Sequence, residues 1–428
     1  MSGERPSARL LAASLAAAGV AACGSGGGSG SGAPAGPIKY EEACEVAGLA
    51  RPLRQTVLVI DEQSIARSDP AEFRLKNPGV IDAVMAIADP EQAVSLGALA
   101  ARERVSLYLA PADGSGPRML FTGCAPAVSS AEQAELARGT SAAERGAGWF
   151  FASGTAEQIK AQAEEFRTRL LGAVQRVAQA AAEKPGRVAE SFEKTSAIRS
   201  LKVASGMADP LLGVPRFILI APAAMRAAAG ESNVEAARKA GFAAAERAGL
   251  DLGMADVGVA LAPGTASREF IGAFLLGSRG RLVAWSSGAP TDLGPAPHAV
   301  RNFSGTIQYG AVQFPVRFRL GIDREGRLSS SWIMVMNEQE AATPVSGSAV
   351  CDQDGDCRVT GDGRGFSQLW SPRPGGEPEF GTDIPFSGLR YFELSIVRGR
   401  ATGRIYDPLV GRVGDQSHIP FEMSEMTS

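Results

Sequence analysis

Apolar and polar positions along the chain follow two different periods, and the change falls near residue 290. Before it, short β-branched runs alternate with stretches whose apolar residues recur at helical spacing. Thr56-Val57-Leu58-Val59-Ile60, closing on Asp61, predicts a buried strand, and residues 104–109 predict a second. Met119-Leu120-Phe121 predicts a short third. Ile159, Phe166, Leu170, Val174 and Val177 share one helical face over residues 155–183, which Pro185-Gly186 ends. A second helix is expected over 188–207, with Val188, Phe192, Ile198, Leu201 and Val203 as its apolar residues. Strands at 217–220, 257–261 and 282–285 then alternate with helices at 234–248 and 265–276. Strands separated by helices imply a doubly wound, mostly parallel sheet, an α/β domain over residues 41–288.

After a Pro/Gly-rich linker at 289–297 the helical period disappears. Val312, Phe314, Val316, Phe318 and Leu320 alternate with Gln313, Pro315, Arg317 and Arg319, and Phe392, Leu394 and Ile396 with Glu393 and Ser395. Asp323-Arg324-Glu325-Gly326 and Arg398-Gly399 turn the chain between such runs. The pattern predicts an all-β antiparallel domain over 298–428, closed as a barrel or folded as a sandwich. Pro315 lacks a backbone donor, which assigns it to an edge or a bulge.

Composition adds bounds. A chain of 428 residues can hold two sizeable cores, and 45% hydrophobic with 21% charged residues is folded-protein composition. A net charge of −3 offers no electrostatic footprint for nucleic acid, so no such partner is expected.

The first residues carry an address. Arg5 and Arg9 flank a small-apolar segment from Leu10 that closes on Val20-Ala21-Ala22-Cys23. A basic flank, an apolar core of about 7–15 residues and small residues at the cut describe a secretory signal. The core is shorter than the ~20 apolar residues of a membrane-spanning helix. Val20-Ala21-Ala22-Cys23 also resembles the lipobox of bacterial lipoproteins. The resemblance implies a signal peptide over 1–22, cleavage before Cys23 and acylation of its thiol by palmitate-type chains. Two or more such chains hold a protein stably on a membrane. Residues 23–40, rich in Gly, Ser and Pro, then form a flexible tether. Gly24 stands where Asp, in enterobacterial lipoproteins, signals inner-membrane retention. The expected place is therefore the cell envelope at an outer membrane, facing periplasm or surface, with the inner membrane still open.

With Cys23 lipidated, Cys44, Cys124, Cys351 and Cys357 remain, an even set in an oxidising compartment. Four cysteines allow three pairings. Cys351 and Cys357 flank the turn-like Asp352-Gln353-Asp354-Gly355-Asp356, so a hairpin closed by a disulfide is the natural choice. Cys44 and Cys124 would then tie the N-terminal segment to the first domain.

A first strand ending in Asp61, a later strand leading to Gly123-Cys124-Ala125-Pro126, a long helix and then Pro215-Arg216-Phe217-Ile218-Leu219-Ile220 resemble a von Willebrand factor A-like domain. That family's metal site uses Asp-x-Ser-x-Ser after the first strand, plus a Thr and an Asp from later loops. Here the loop reads Asp61-Glu62-Gln63-Ser64-Ile65, with Gln63 and Ile65 at the two serine positions and Ser64 one place out of register. After the later strand Ala221-Pro222-Ala223-Ala224-Met225 supplies no carboxylate. A hard divalent cation wants several oxygens in near-octahedral array, so the site reads as degenerate and no cofactor is expected. The crevice beyond the strands' carboxyl ends remains the expected binding surface, with Asp61, Glu62, Gln63, Ser64 and Arg67 as its lining.

Other chemistry is sparse. Asp352, Asp354 and Asp356 stand at positions 1, 3 and 5 of a possible calcium loop, but Gly355 falls at position 4 and Gly363 at 12, against the Gly at 6 and Glu at 12 of an EF-hand. They read as a polar turn and only weak metal candidates. Ser191-Phe192-Glu193-Lys194 has the Ser-x-x-Lys spacing of penicillin-recognising enzymes without their companion motifs. His298 and His418 have no nucleophile signal nearby, so no catalytic residue is assigned. Trp332 reads as an apolar anchor. The resulting expectation is a lipid-anchored envelope protein that binds or scaffolds a protein or envelope partner. The alternatives are an envelope hydrolase acting on a carbohydrate or peptidoglycan-type substrate, and a lipoprotein holding a small ligand in its β-barrel.

Overall fold

The computed structural model describes residues 53–62, 83–84, 86–87, 99–100, 102–113, 115–125, 164–175, 191–208, 213–220, 233–262, 267–288, 293–309, 312–335, 341–363, 370–371, 379–380, 390–406 and 418–426. The expected signal peptide, Cys23 and the tether lie outside them. Six strands form the first sheet: β1 (Arg54–Asp61), β2 (Arg104–Ala110), β3 (Arg118–Cys124), β4 (Val214–Ile220), β5 (Ala255–Ala260) and β6 (Gly280–Trp285). Their order is β3-β2-β1-β4-β5-β6. All neighbours are parallel except β3, which runs antiparallel to β2 at the edge.

The unbroken apolar run of β1 reflects burial on both sides, as in parallel sheets generally. Val57 and Val59 join Phe217, Leu219, Val257 and Val259 in one core, beneath helices α1 (Ser196–Met207), α2 (Val234–Ala248) and α3 (Arg268–Gly277). Leu58 and Ile60 point the other way, joining Ile218, Ile220, Val84, Ile87 and residues Phe166, Leu170 and Val174 of the helical stretch 164–175. The helix expected over 188–207 is shorter. Phe192–Lys194 form a separate 3-10 turn, and Thr195, at ψ 153°, is extended between it and α1. Phe192 sets this break, because its ring packs edge-on against both Phe270 and Phe274 of α3. Rotating α1 about that break buries Ile198, Leu201 and Ala204 and leaves Val203, expected on the apolar face, 42% exposed.

The second region closes on itself. β7 (Ala299–Tyr309), β8 (Val312–Ile322), β9 (Ser331–Val335), β10 (Ala341–Cys351), β11 (Cys357–Gly363), β14 (Arg390–Val397), β15 (Arg400–Tyr406) and β16 (Ile419–Glu425) form a closed barrel, ordered β10-β11-β14-β15-β16-β7-β8-β9. β12 (Trp370–Ser371) and β13 (Glu379–Phe380) pair only with each other. The barrel replaces the sandwich alternative. Its interior is occupied by Phe303, Phe318, Leu320, Phe392, Ile396 and Phe421, among others, the filling usual for eight strands. Pro315 pairs with Thr306 of β7 but lies beyond the β8–β9 ladder, which begins at Val316, an edge-like setting on that side. A disulfide links Cys351 and Cys357, direct cross-strand partners, and closes the expected hairpin. Cys124 is also disulfide-bonded; its expected partner, Cys44, lies outside the described residues.

Sheet and barrel belong to one unit, Ile38–Ser428. Residues 293–297, the described part of the expected linker, lie at their junction, where Gly294 O accepts from Arg54 Nη1 at 3.1 Å and Pro295 O from the Ser329 hydroxyl at 2.8 Å.

Candidate functional site

An open sheet of this kind binds ligands beyond the carboxyl ends of its strands, at the point where strand order reverses. That point lies between β1 and β4, and β1 delivers Asp61 and Glu62 to it. Both are buried. Glu62 bends toward its neighbours: Oε2 accepts from the Ala112 amide at 2.6 Å, and Oε1 lies 3.5 Å from Arg118 Nη2 at the start of β3. Its carboxylate therefore fastens the end of β1 to the β2–β3 connection rather than standing open to a ligand. Gln63, Ser64 and Arg67 lie outside the described residues, as do residues 221–232 after β4. Of the five expected lining residues, the structure brings Asp61 and Glu62 together.

The acidic turn of the barrel behaves as a turn. Asp352 Oδ1 accepts from the amides of Asp354 and Asp356 at 3.0 and 2.9 Å, and Asp356 Oδ1 accepts from the Arg398 amide at 2.7 Å. Among the described residues no three His, Cys, Asp or Glu side chains cluster as a metal site. Trp332 is fully buried on β9.

A dense charged cluster sits at the opposite, amino end of the sheet. Register places Thr56, Arg216, Asp256 and Arg281 side by side across β1, β4, β5 and β6. Arg281 Nε donates to Asp256 Oδ1 at 2.8 Å, and the Ser330 hydroxyl from the barrel donates to Oδ2 at 2.7 Å. Arg319 of β8 crosses the junction as well, donating to the carbonyls of Ser330, at 2.9 Å, and Met254. Glu103 completes the cluster. Arg54 grips it with Nε at 3.0 Å and Nη2 at 2.9 Å, the Ala100 amide donates at 2.7 Å, and the Thr56 hydroxyl donates to Oε1. Arg216 in turn donates to Thr56 Oγ1 from Nη2 at 2.8 Å and lies 3.6 Å from Glu103.

Electrostatics follow from that geometry. Burial pushes the carboxyls of Glu103 and Asp256 up, but the surrounding guanidinium groups, Arg54 and Arg216 for Glu103 and Arg281 for Asp256, outweigh it and hold both below the usual range. Burial and the neighbouring Arg54 charge lower Arg216 to about 9, and burial lowers Arg319 to about 10, so both stay cationic at neutral pH. This cluster was not anticipated from the pattern of the chain. The signal was present, since each of four parallel strands carries a charged residue within its first three positions, Arg54, Arg216, Asp256 and Arg281. In a parallel sheet those starts share one edge.

Comparison with known protein families and with curated proteins finds no match for this chain.

Proposed function

We propose that this chain is a lipid-anchored envelope protein in which an A-like α/β domain and a β-barrel act as one body that binds or scaffolds a partner without a metal ion. The observation that carries the binding reading over the hydrolase reading is the fate of the buried carboxylates. Of the five buried carboxylates among the described residues, Asp61 aside, Glu62, Glu103, Asp256 and Asp323 each lie against an arginine of the same chain: Arg118, Arg54, Arg281 and Arg327. A glycosidase needs two carboxyls facing a substrate, one with its pKa raised toward working pH. Glu103 and Asp256 are shifted the other way. The side chains packed inside the barrel weigh against the reading in which that interior holds a ligand. Asp61 at the carboxyl end of a central β1, with helices over both faces, is the layout the A-like reading expects.

Fractionation of cells expressing the full chain tests the anchor: wild type is expected with the membranes and Cys23→Ala in the soluble fraction. A Cys23→Ala protein that still pellets with membranes would remove the lipoprotein reading. Pull-down of the anchored protein after cross-linking tests the role, with a recurrent stoichiometric partner as the expected outcome. Release of soluble sugar from envelope polysaccharide, abolished by Asp61→Asn, would favour the hydrolase instead.

A further inference from the structure

The barrel's outer wall carries a concave groove of about 790 Å³, within the size range of small-ligand sites. Most of its lining side chains point away from the packed interior, although Leu394 and Phe421 of that interior also reach it, and two rows cross it. In the first, Arg358 of β11, Ser395 of β14, Thr402 of β15, Glu422 of β16 and Thr306 of β7 stand side by side. In the second, Thr360, Glu393, Arg404 and Pro420 do so one step along the same strands. Gln308 and Gln313, paired across β7 and β8, complete the lining. Hydroxyls, amides and forked charged groups therefore recur at every strand, about 4.8 Å apart.

The lining also narrows the ligand. The lining holds two arginines and two glutamates, and Glu422 also takes Arg400, so the groove with its rim has at most one surplus charge, too little to select a polyanion or a polycation. Peptide partners are taken up by known routes: strand addition to an open edge, an amphipathic helix in an apolar groove, a proline-rich segment between aromatics, or a phosphorylated motif on an arginine cluster. A closed barrel has no open edge, the large apolar side chains at the groove, Leu394 and Phe421, are buried, and its two arginines stand on strands separated by β14 rather than as a cluster. What such a surface can satisfy is a ligand that both donates and accepts hydrogen bonds along its length. We propose that the groove binds a neutral, polyhydroxylated chain, an oligosaccharide segment, held by side-chain hydrogen bonds from β11, β14, β15 and β16. This site adds to the binding role proposed above but stands on the barrel's own geometry, so it survives if the lipid anchor or the sheet's crevice fails.

The test is calorimetric titration of the full chain with chitotetraose and with maltotetraose as neutral probes. Saturable binding of at least one is expected, with little change between low and high salt, because the probes carry no charge. Glu393→Ala/Arg404→Ala, an exposed and charge-balanced double substitution, should weaken binding by about tenfold or more, while Glu325→Ala on a distant turn leaves it unchanged. Melting curves of both variants, expected to match wild type, report that the fold is intact. Three results would overturn the proposal: no saturation with either oligosaccharide, binding undiminished in the folded double variant, or binding of a mixed-charge peptide in place of both sugars.

Discussion

Glu103 shows how much a single buried side chain can hold in this protein. Its carboxylate is fully buried, and Arg54, Thr56 and the Ala100 amide all donate to it. Replacement by Gln keeps the shape but removes the charge that compensates Arg54 and Arg216. Breaking a buried pair from one side costs about 3–5 kcal/mol, because the remaining charge is stranded. Urea unfolding of Glu103→Gln is expected to show a loss of that size; a loss near zero would mean that the arginines find other partners. The exposed pair Arg327–Glu325 should by contrast tolerate Glu325→Gln without a measurable shift. Glu103 could not be singled out from the chain alone. Its neighbours Arg102 and Arg104 make it look like an ordinary charged turn, and its role depends on Arg54 and Arg216, which only strand order brings near it.

Among the elements, local period was the reliable guide. α2 falls at the expected 234–248, and all six strands of the sheet fall at or beside the runs expected for them. What period does not encode is where helices cross. Gly241 of α2 sits where α3 passes, and a Cβ there would fall on the Phe270 carbonyl oxygen and 3.0 Å from Ala273 Cβ. Gly206 in α1 has open space around it. The two glycines therefore predict opposite signs for the same substitution. Gly206→Ala gains helix propensity, up to about 1 kcal/mol, whereas Gly241→Ala must push two helices apart and is expected to cost about 1–3 kcal/mol. Thermal melts of the two single variants would decide it; stabilisation by both would mean that the α2–α3 crossing is looser than the structure has it. The alternating strands after residue 298 were legible in the same way, but closure was not. A period of two marks which side chains face inward and leaves open whether the last strand returns to the first.

At the scale of the whole molecule, the junction makes acid the sensitive direction. Asp256 bonds both to Arg281 within the sheet and to Ser330 from the barrel, and the Arg216 charge interacts with both it and Glu103. Both carboxyls have folded pKa values below their ordinary ones. Their stabilisation is therefore fully present above the unfolded values, about 3.9 for Asp and 4.3 for Glu, and is lost as pH falls through the lower folded values. Once they are protonated, Arg54, Arg216, Arg281 and Arg319 lose the two carboxylate charges that offset their own. The melting temperature should stay nearly level from neutral pH to about pH 5 and fall steeply below about pH 4. Limited proteolysis across the same range should show sheet and barrel becoming cleavable together, since Asp256 bonds to both of them. The double variant Glu103→Gln/Asp256→Asn should start from a lower melting temperature and lose much of the acid step. If instead the barrel became cleavable near neutral pH while the sheet stayed protected, these carboxylates would not be what couples the two halves.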